Sequence, residues 1–193
     1  MVMEDNKPVI CVFCGSAFGI NPKYAEAART LGRLLAERGF SMIFGGGGLG
    51  LMGETARAAR DNGARVAGIL PEFLRRIEQP PEWEKDLVIT PDLQLRKTQM
   101  LARADAFVVL PGGAGTMDEF FEIVTSAQLG VLNDKPILAV NTDGYFDTLV
   151  RLLDNIVREG FAKPAMLSLF TLVDTPQQAI DAIAERLGLA ARK

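Results

Sequence analysis

Two hydrophobic periods alternate along this chain, and that alternation leaves few architectures open. Short runs rich in Val, Ile and Phe at residues 9–13, 41–44, 65–70, 106–110, 136–140 and 169–173 read as strands, with a shorter one at 87–90. Longer helical patterns separate them, at residues 24–38, 51–62, 92–103, 116–129 and 145–159, and a last helix opens at Thr175-Pro176. Asn21 is placed to cap the first helix, Pro22 occupies its first position and Gly39 ends it. Residues 72–84 resist assignment because Pro71, Pro80 and Pro81 interrupt them. The expectation is an α/β, Rossmann-like, doubly wound parallel sheet with helices on both faces. At 193 residues it is read as a single domain, 1–193, with residues 1–7 as a flexible lead. Such sheets bind ligands beyond the carboxyl ends of their strands, near a topological switch point.

Composition then restricts the chemistry. The chain contains no histidine, which excludes His-based metal sites, Ser-His or Cys-His nucleophiles and an imidazole general base. Carboxylates, Lys, Arg, hydroxyls, thiols and backbone amides remain. Twenty-one basic against twenty-four acidic residues give a net charge of −3, so a nucleic-acid partner is not expected. Two cysteines are too few for a disulfide scaffold. No apolar stretch has the length of a membrane span and the first residues lack a signal-peptide pattern, so no membrane partner and a cytoplasmic location are expected.

Two glycine clusters follow strands and open helices, which places both at the ligand edge of the sheet. The first is Gly45-Gly46-Gly47-Gly48-Leu49-Gly50-Leu51-Met52-Gly53. Glycines let backbone amides approach an anion, and a helix N-terminus favours negative charge. The cluster also satisfies G-x-G-x-x-G, but four consecutive glycines satisfy many patterns, and the dinucleotide fingerprint belongs after a first strand. A tight turn with close helix packing is the structural alternative. The second cluster is Pro111-Gly112-Gly113-Ala114-Gly115-Thr116-Met117-Asp118-Glu119. Here Thr116 and Glu119 have the spacing of a capping box, so Glu119 either caps the helix or stands as a carboxylate beside an anion site. Arg96 and Lys97, on the preceding helix, suit either phosphate binding or a solvated face. Cys11 and Cys14 form C-x-x-C, yet odd spacing in a strand sends them to opposite faces, which argues against a redox pair. Ser16, after the first strand, either donates to ligand or completes a turn.

Taken together these segments resemble the LOG ("lonely guy") family of cytokinin riboside 5′-monophosphate phosphoribohydrolases, often labelled possible lysine decarboxylases. The resemblance rests on P-G-G-x-G-T-x-x-E at residues 111–119, on Asp92-Leu93-Gln94-Leu95-Arg96-Lys97, and on residues 44–53. Ala127-Gln128-Leu129-Gly130, Asp134-Lys135-Pro136 and Asp143-Gly144-Tyr145 also fit. It implies hydrolysis of the N-glycosidic bond of a nucleoside 5′-monophosphate, without cofactor or metal, by a homodimer. The implied catalytic residues are Arg96 and Glu119. The implied substrate contacts are Glu78, Lys97, Gly113, Ala114, Gly115, Thr116, Met117, Asp118 and Thr125, together with Arg96 and Glu119. Ser16, Gly46, Gly47 and Gly112 join them from the strand-end loops. Ala114 stands where the family commonly has Tyr, and Leu93-Gln94 where it has Met-His; both bear on base preference. Three other readings remain: a non-catalytic nucleotide carrier on the same fold, an NAD-linked oxidoreductase, and a lysine decarboxylase, for which no Schiff-base motif is visible.

Overall fold

A computed structural model describes residues 7–83 and 85–189, so most of the lead expected to be flexible lies outside the described residues. Seven parallel strands form one sheet in the order β4-β3-β2-β1-β5-β6-β7. They are β1 (Val9–Phe13), β2 (Ser41–Phe44), β3 (Val66–Pro71), β4 (Val88–Thr90), β5 (Ala106–Val109), β6 (Ile137–Val140) and β7 (Thr171–Val173). The helices are α1 (Pro22–Glu37), α2 (Gly50–Asp61), α3 (Arg75–Glu78), α4 (Leu93–Arg103), α5 (Ala114–Gln128), α6 (Asp147–Arg158) and α7 (Pro176–Arg186). This is the expected doubly wound fold.

The central strands are apolar throughout because both faces are covered. Alternate residues of β1 serve different layers. Ile10 and Val12 pack with residues of α1, α2 and α7, including Leu31, Leu35, Ala56 and Ile180. Val9, Cys11 and Phe13 pack on the other face with Met100 of α4, Phe120 and Ile123 of α5 and Leu153 of α6. β5 divides in the same way, Val108 to the first layer and Phe107 and Val109 to the second.

Chain order reverses between β1, which pairs with β2 on one side, and β5 on the other. This is the switch point, and the loops leaving β1 and β5 meet there. The Gly15 amide donates to the Pro111 carbonyl at 3.0 Å, and the Met52 amide donates to the Gly15 carbonyl at 3.1 Å. Three strand-end segments, after β1, β2 and β5, are thereby tied into one edge. Asn21 caps α1 as expected, its side chain accepting from the Lys23 amide. The unassigned residues 72–84 contain a short 3-10 turn and the single helical turn of α3, which ends at Gln79 in a left-handed conformation.

Candidate active site

The helix after β5 starts two residues earlier than its pattern suggests. Gly113, not Thr116, is the N-cap of α5; its backbone is extended and no side chain caps the helix. The first internal bond runs from the Met117 amide to the Gly113 carbonyl, at 3.1 Å. The amides of Ala114, Gly115 and Thr116 therefore precede any intrahelical acceptor and face outward at the positive end of the helix dipole. Of the two readings of Glu119, the capping box with Thr116 does not form. Thr116 is already inside the helix, which carries Glu119 one turn on and turns it toward the sheet edge.

Glu119 meets Arg96 there. The Arg96 guanidinium lies 3.1 Å from the Glu119 carboxylate through Nη2, and its Nε donates to the Ile69 carbonyl at 3.2 Å. Gly45 makes room for it, since a Cβ at that position would collide with Arg96 Nη2. The first glycine of the β2 cluster thus seats a side chain, a role its pattern did not suggest. Both partners are nearly covered, with side-chain exposures of 13% for Arg96 and 9% for Glu119, so the pair sits in a low-dielectric setting. Burial pushes the Glu119 carboxyl up to about 7, more than Arg96 pulls it down. Asp118 and Glu122 push the same way, and Lys97 opposes them. The result is a carboxyl group poised near neutrality.

A cavity of about 240 Å³ opens on this pair. Of the residues expected to contact substrate, Ser16, Glu78, Arg96, Gly113, Ala114, Gly115, Thr116 and Glu119 line it. Glu78 brings a carboxylate oxygen that is buried and has no hydrogen-bond partner among the described residues. The others sit elsewhere. Gly46 packs against Leu70 and Leu87, and Gly47 sits behind Glu78 and Met52. Lys97 pairs with Asp118 at 3.1 Å and also with Glu122, joining α4 to α5. Met117 packs against the core layer beneath α5, and Thr125 is exposed further along that helix. Gly112 lines a second, adjoining cavity of about 290 Å³ with Tyr24 and Tyr145, which shares Gly15, Ser16 and Gly113 with the first. Sequence reasoning missed Val12, Phe13, Cys14, Gly15, Gly45 and Met52 as lining residues. Their position at the ends of β1 and β2, or for Met52 in the first turn of α2, was the available signal. Cys11 and Cys14 do fall in opposite layers, and burial pushes both thiols well above their ordinary range, which leaves them unreactive.

Fold and site together define a class: a parallel α/β protein with a cavity at the β1/β5 switch point, where the uncapped start of a helix stands beside a buried guanidinium–carboxylate pair. The family described as possible lysine decarboxylase matches residues 52–183. Rice probable cytokinin riboside 5′-monophosphate phosphoribohydrolase LOGL2 (Oryza sativa subsp. japonica) is 37% identical over 96% of this chain and 75% of its own length. Cytokinin riboside 5′-monophosphate phosphoribohydrolase LOG7 of Arabidopsis thaliana is 43% identical over 80% of this chain and 71% of its own. The chain belongs to this LOG, or possible lysine decarboxylase, family. Among solved structures, the molybdenum cofactor binding protein from Rippkaea orientalis superposes with a TM-score of 0.69 at 21% identity, covering 94% of this chain and 98% of that one. The Moco carrier protein from Chlamydomonas reinhardtii gives 0.68 at 21% identity, over 95% and 99%. These two likenesses show the fold. Among the described residues no helix is long and apolar enough to cross a membrane.

Proposed function

We propose that this protein hydrolyses the N-glycosidic bond of nucleoside 5′-monophosphates, cytokinin riboside 5′-monophosphate or AMP, to free base and ribose 5-phosphate. The observation that carries the reading is the buried Arg96–Glu119 pair set beside the uncapped start of α5 in one cavity. The curated relatives bear the name of this activity over most of their length.

The residues divide the work. The amides of Ala114, Gly115 and Thr116 hold the 5′-phosphate at the positive end of α5. Glu119 lies within reach of the ribose, where bond breaking develops oxocarbenium character at C1′. Its carboxylate stabilises that charge and takes a proton from the attacking water. The C1′–N bond breaks with its electron pair going to the base, water oxygen bonds to C1′, and the departing base is protonated. A carboxyl group near 7 both accepts and returns a proton close to neutral pH. Arg96 orients Glu119 and keeps part of it ionised, and it lines the same cavity. The unpartnered Glu78 oxygen accepts from a substrate donor. Ala114, at the rim, leaves space where the family commonly has a Tyr.

The protein is further proposed to act in the cytoplasm as a homodimer. Leu129 and Val131, exposed just after α5, leave apolar surface that a second copy would cover. The test of activity is incubation with AMP and with isopentenyladenosine monophosphate, followed by chromatography for base and ribose 5-phosphate. Release from either supports the hydrolase. Tight binding without release from both returns the chain to the carrier reading.

A further inference from the structure

One motif of the sequence, Asp143-Gly144-Tyr145, has no part in the chemistry above, yet its side chains reach the β5 loop. The segment forms a short 3-10 turn after β6 in which Asp143 adopts a left-handed conformation, φ 57° and ψ 33°. Three polar contacts hold it. Lys23 pairs with Asp143 at 2.5 Å, the Asn21 amide group donates to Asp143 at 2.7 Å, and the Asn141 side chain accepts from the Phe146 amide at 2.7 Å. The Tyr145 ring packs edge-on against Tyr24, with centroids 5.6 Å apart, and against Phe146 at 5.1 Å. So placed, the Tyr145 hydroxyl donates a hydrogen bond to the Gly112 carbonyl oxygen.

That bond fixes more than a carbonyl. The carbonyl of residue 112 and the amide of residue 113 belong to one planar trans peptide and point in opposite directions. Tyr145 lines the second cavity and not the one holding Glu119. Gly113 lines both cavities, and with the Gly112 oxygen drawn toward Tyr145, which lines only the second, the Gly113 N–H points away from Tyr145. Two glycines flank the plane, so rotation of this peptide meets little intrinsic resistance. Nothing crowds Gly113 either, since a Cβ there would find no atom within 4 Å.

We infer that Tyr145 is a positioning residue: its hydroxyl holds the Gly112–Gly113 peptide so that the Gly113 amide joins the donors at the start of α5 that receive the substrate phosphate. The inference rests on the reading given under Proposed function and adds a specificity device to it. Tyr145 acts from behind the loop, and the effect is confined to ligands that carry a phosphate.

Tyr145→Phe tests this, because it keeps the ring and its packing and removes only the hydroxyl. Affinities for AMP and for adenosine are measured by titration calorimetry in the hydrolysis-deficient Glu119→Gln background with and without Tyr145→Phe, with steady-state kinetics on AMP for wild type and Tyr145→Phe and a thermal melt to confirm the fold. The expected result is a fall of about 5- to 20-fold in AMP affinity and a matching rise in KM, the scale of weakening one charge-assisted hydrogen bond. Adenosine affinity and kcat hold within about twofold of the protein with Tyr145 intact. Unchanged AMP affinity overturns the inference, and so does an equal fall for adenosine, which would mark a merely structural role. Absence of any preference for AMP over adenosine in the Glu119→Gln protein with Tyr145 intact would instead overturn the phosphate cradle itself, and the proposed function with it.

Discussion

Glu119→Gln should make the protein more stable and, under the proposed mechanism, inactive. Burial raises the Glu119 carboxyl from its ordinary 4.5 to about 7, so the folded state binds that proton more tightly than the unfolded chain does. The stability from that tighter binding is fully present below about pH 4.5 and is lost as pH rises through about 7. Every tenfold difference in proton affinity corresponds to about 1.4 kcal/mol, so full ionisation of the buried group costs the fold about 3 kcal/mol. Near pH 5 the penalty is about 1 kcal/mol, because the folded protein still holds the proton and the unfolded chain has partly released it. Glutamine mimics the neutral carboxyl and carries no such penalty. Urea unfolding of wild type and variant near pH 5 and near pH 9 should therefore show the variant's advantage widening by about 2 kcal/mol toward the alkaline side. A constant gap, or one that narrows with rising pH, would refute the claim that desolvation dominates this site. A residue that weakens its own fold is the pattern expected where a group is held for chemistry rather than packing.

The remaining predictions concern rate and loop geometry. kcat/KM for AMP should rise with pH through about 7 and then level off, since the mechanism needs Glu119 ionised; a flat profile from about pH 5 to 9 would contradict that assignment. Gly112→Ala should lose about 1–3 kcal/mol of stability together with activity, because the new Cβ would collide with Thr116 Oγ1 and stand 2.7 Å from the Gly15 amide. Gly113→Ala meets no such obstruction and should fold as well as wild type, which circular dichroism and a thermal melt would establish.

Much of the fold was legible because strand burial is a local property of this sequence. β1, β2 and β5 run apolar with little interruption, and their ends fall within a residue of where the apolar runs place them. Helix starts were less legible. Thr116-x-x-Glu119 has capping spacing, but Gly113 takes the cap, and Gly112 has to stay small to admit the Thr116 hydroxyl. The helix expected from residue 145 begins at Asp147 because the Asn141 side chain organises a turn ahead of it. Arg96, Glu119 and the two glycine loops were legible as separate motifs. Their arrangement was not: Arg96 reaches Glu119 only because α4 and α5 pack on one face of the sheet and Gly45 leaves room beneath the guanidinium. That is a consequence of tertiary packing, and no spacing in the chain encodes it.

The most direct test of the proposed hydrolase separates binding from bond breaking. Wild type, Glu119→Gln and Arg96→Ala are loaded with AMP or isopentenyladenosine monophosphate at enzyme excess, and bound nucleotide, free base and ribose 5-phosphate are measured over time. Wild type should release base and ribose 5-phosphate in equal amounts. Glu119→Gln should retain the nucleotide intact, with base release at least about 1,000-fold slower, the scale of losing a charge-stabilising and proton-accepting group. Arg96→Ala should also lose base release while remaining folded. Near-normal base release by both variants would contradict the assignment of the Arg96–Glu119 pair as the catalytic centre.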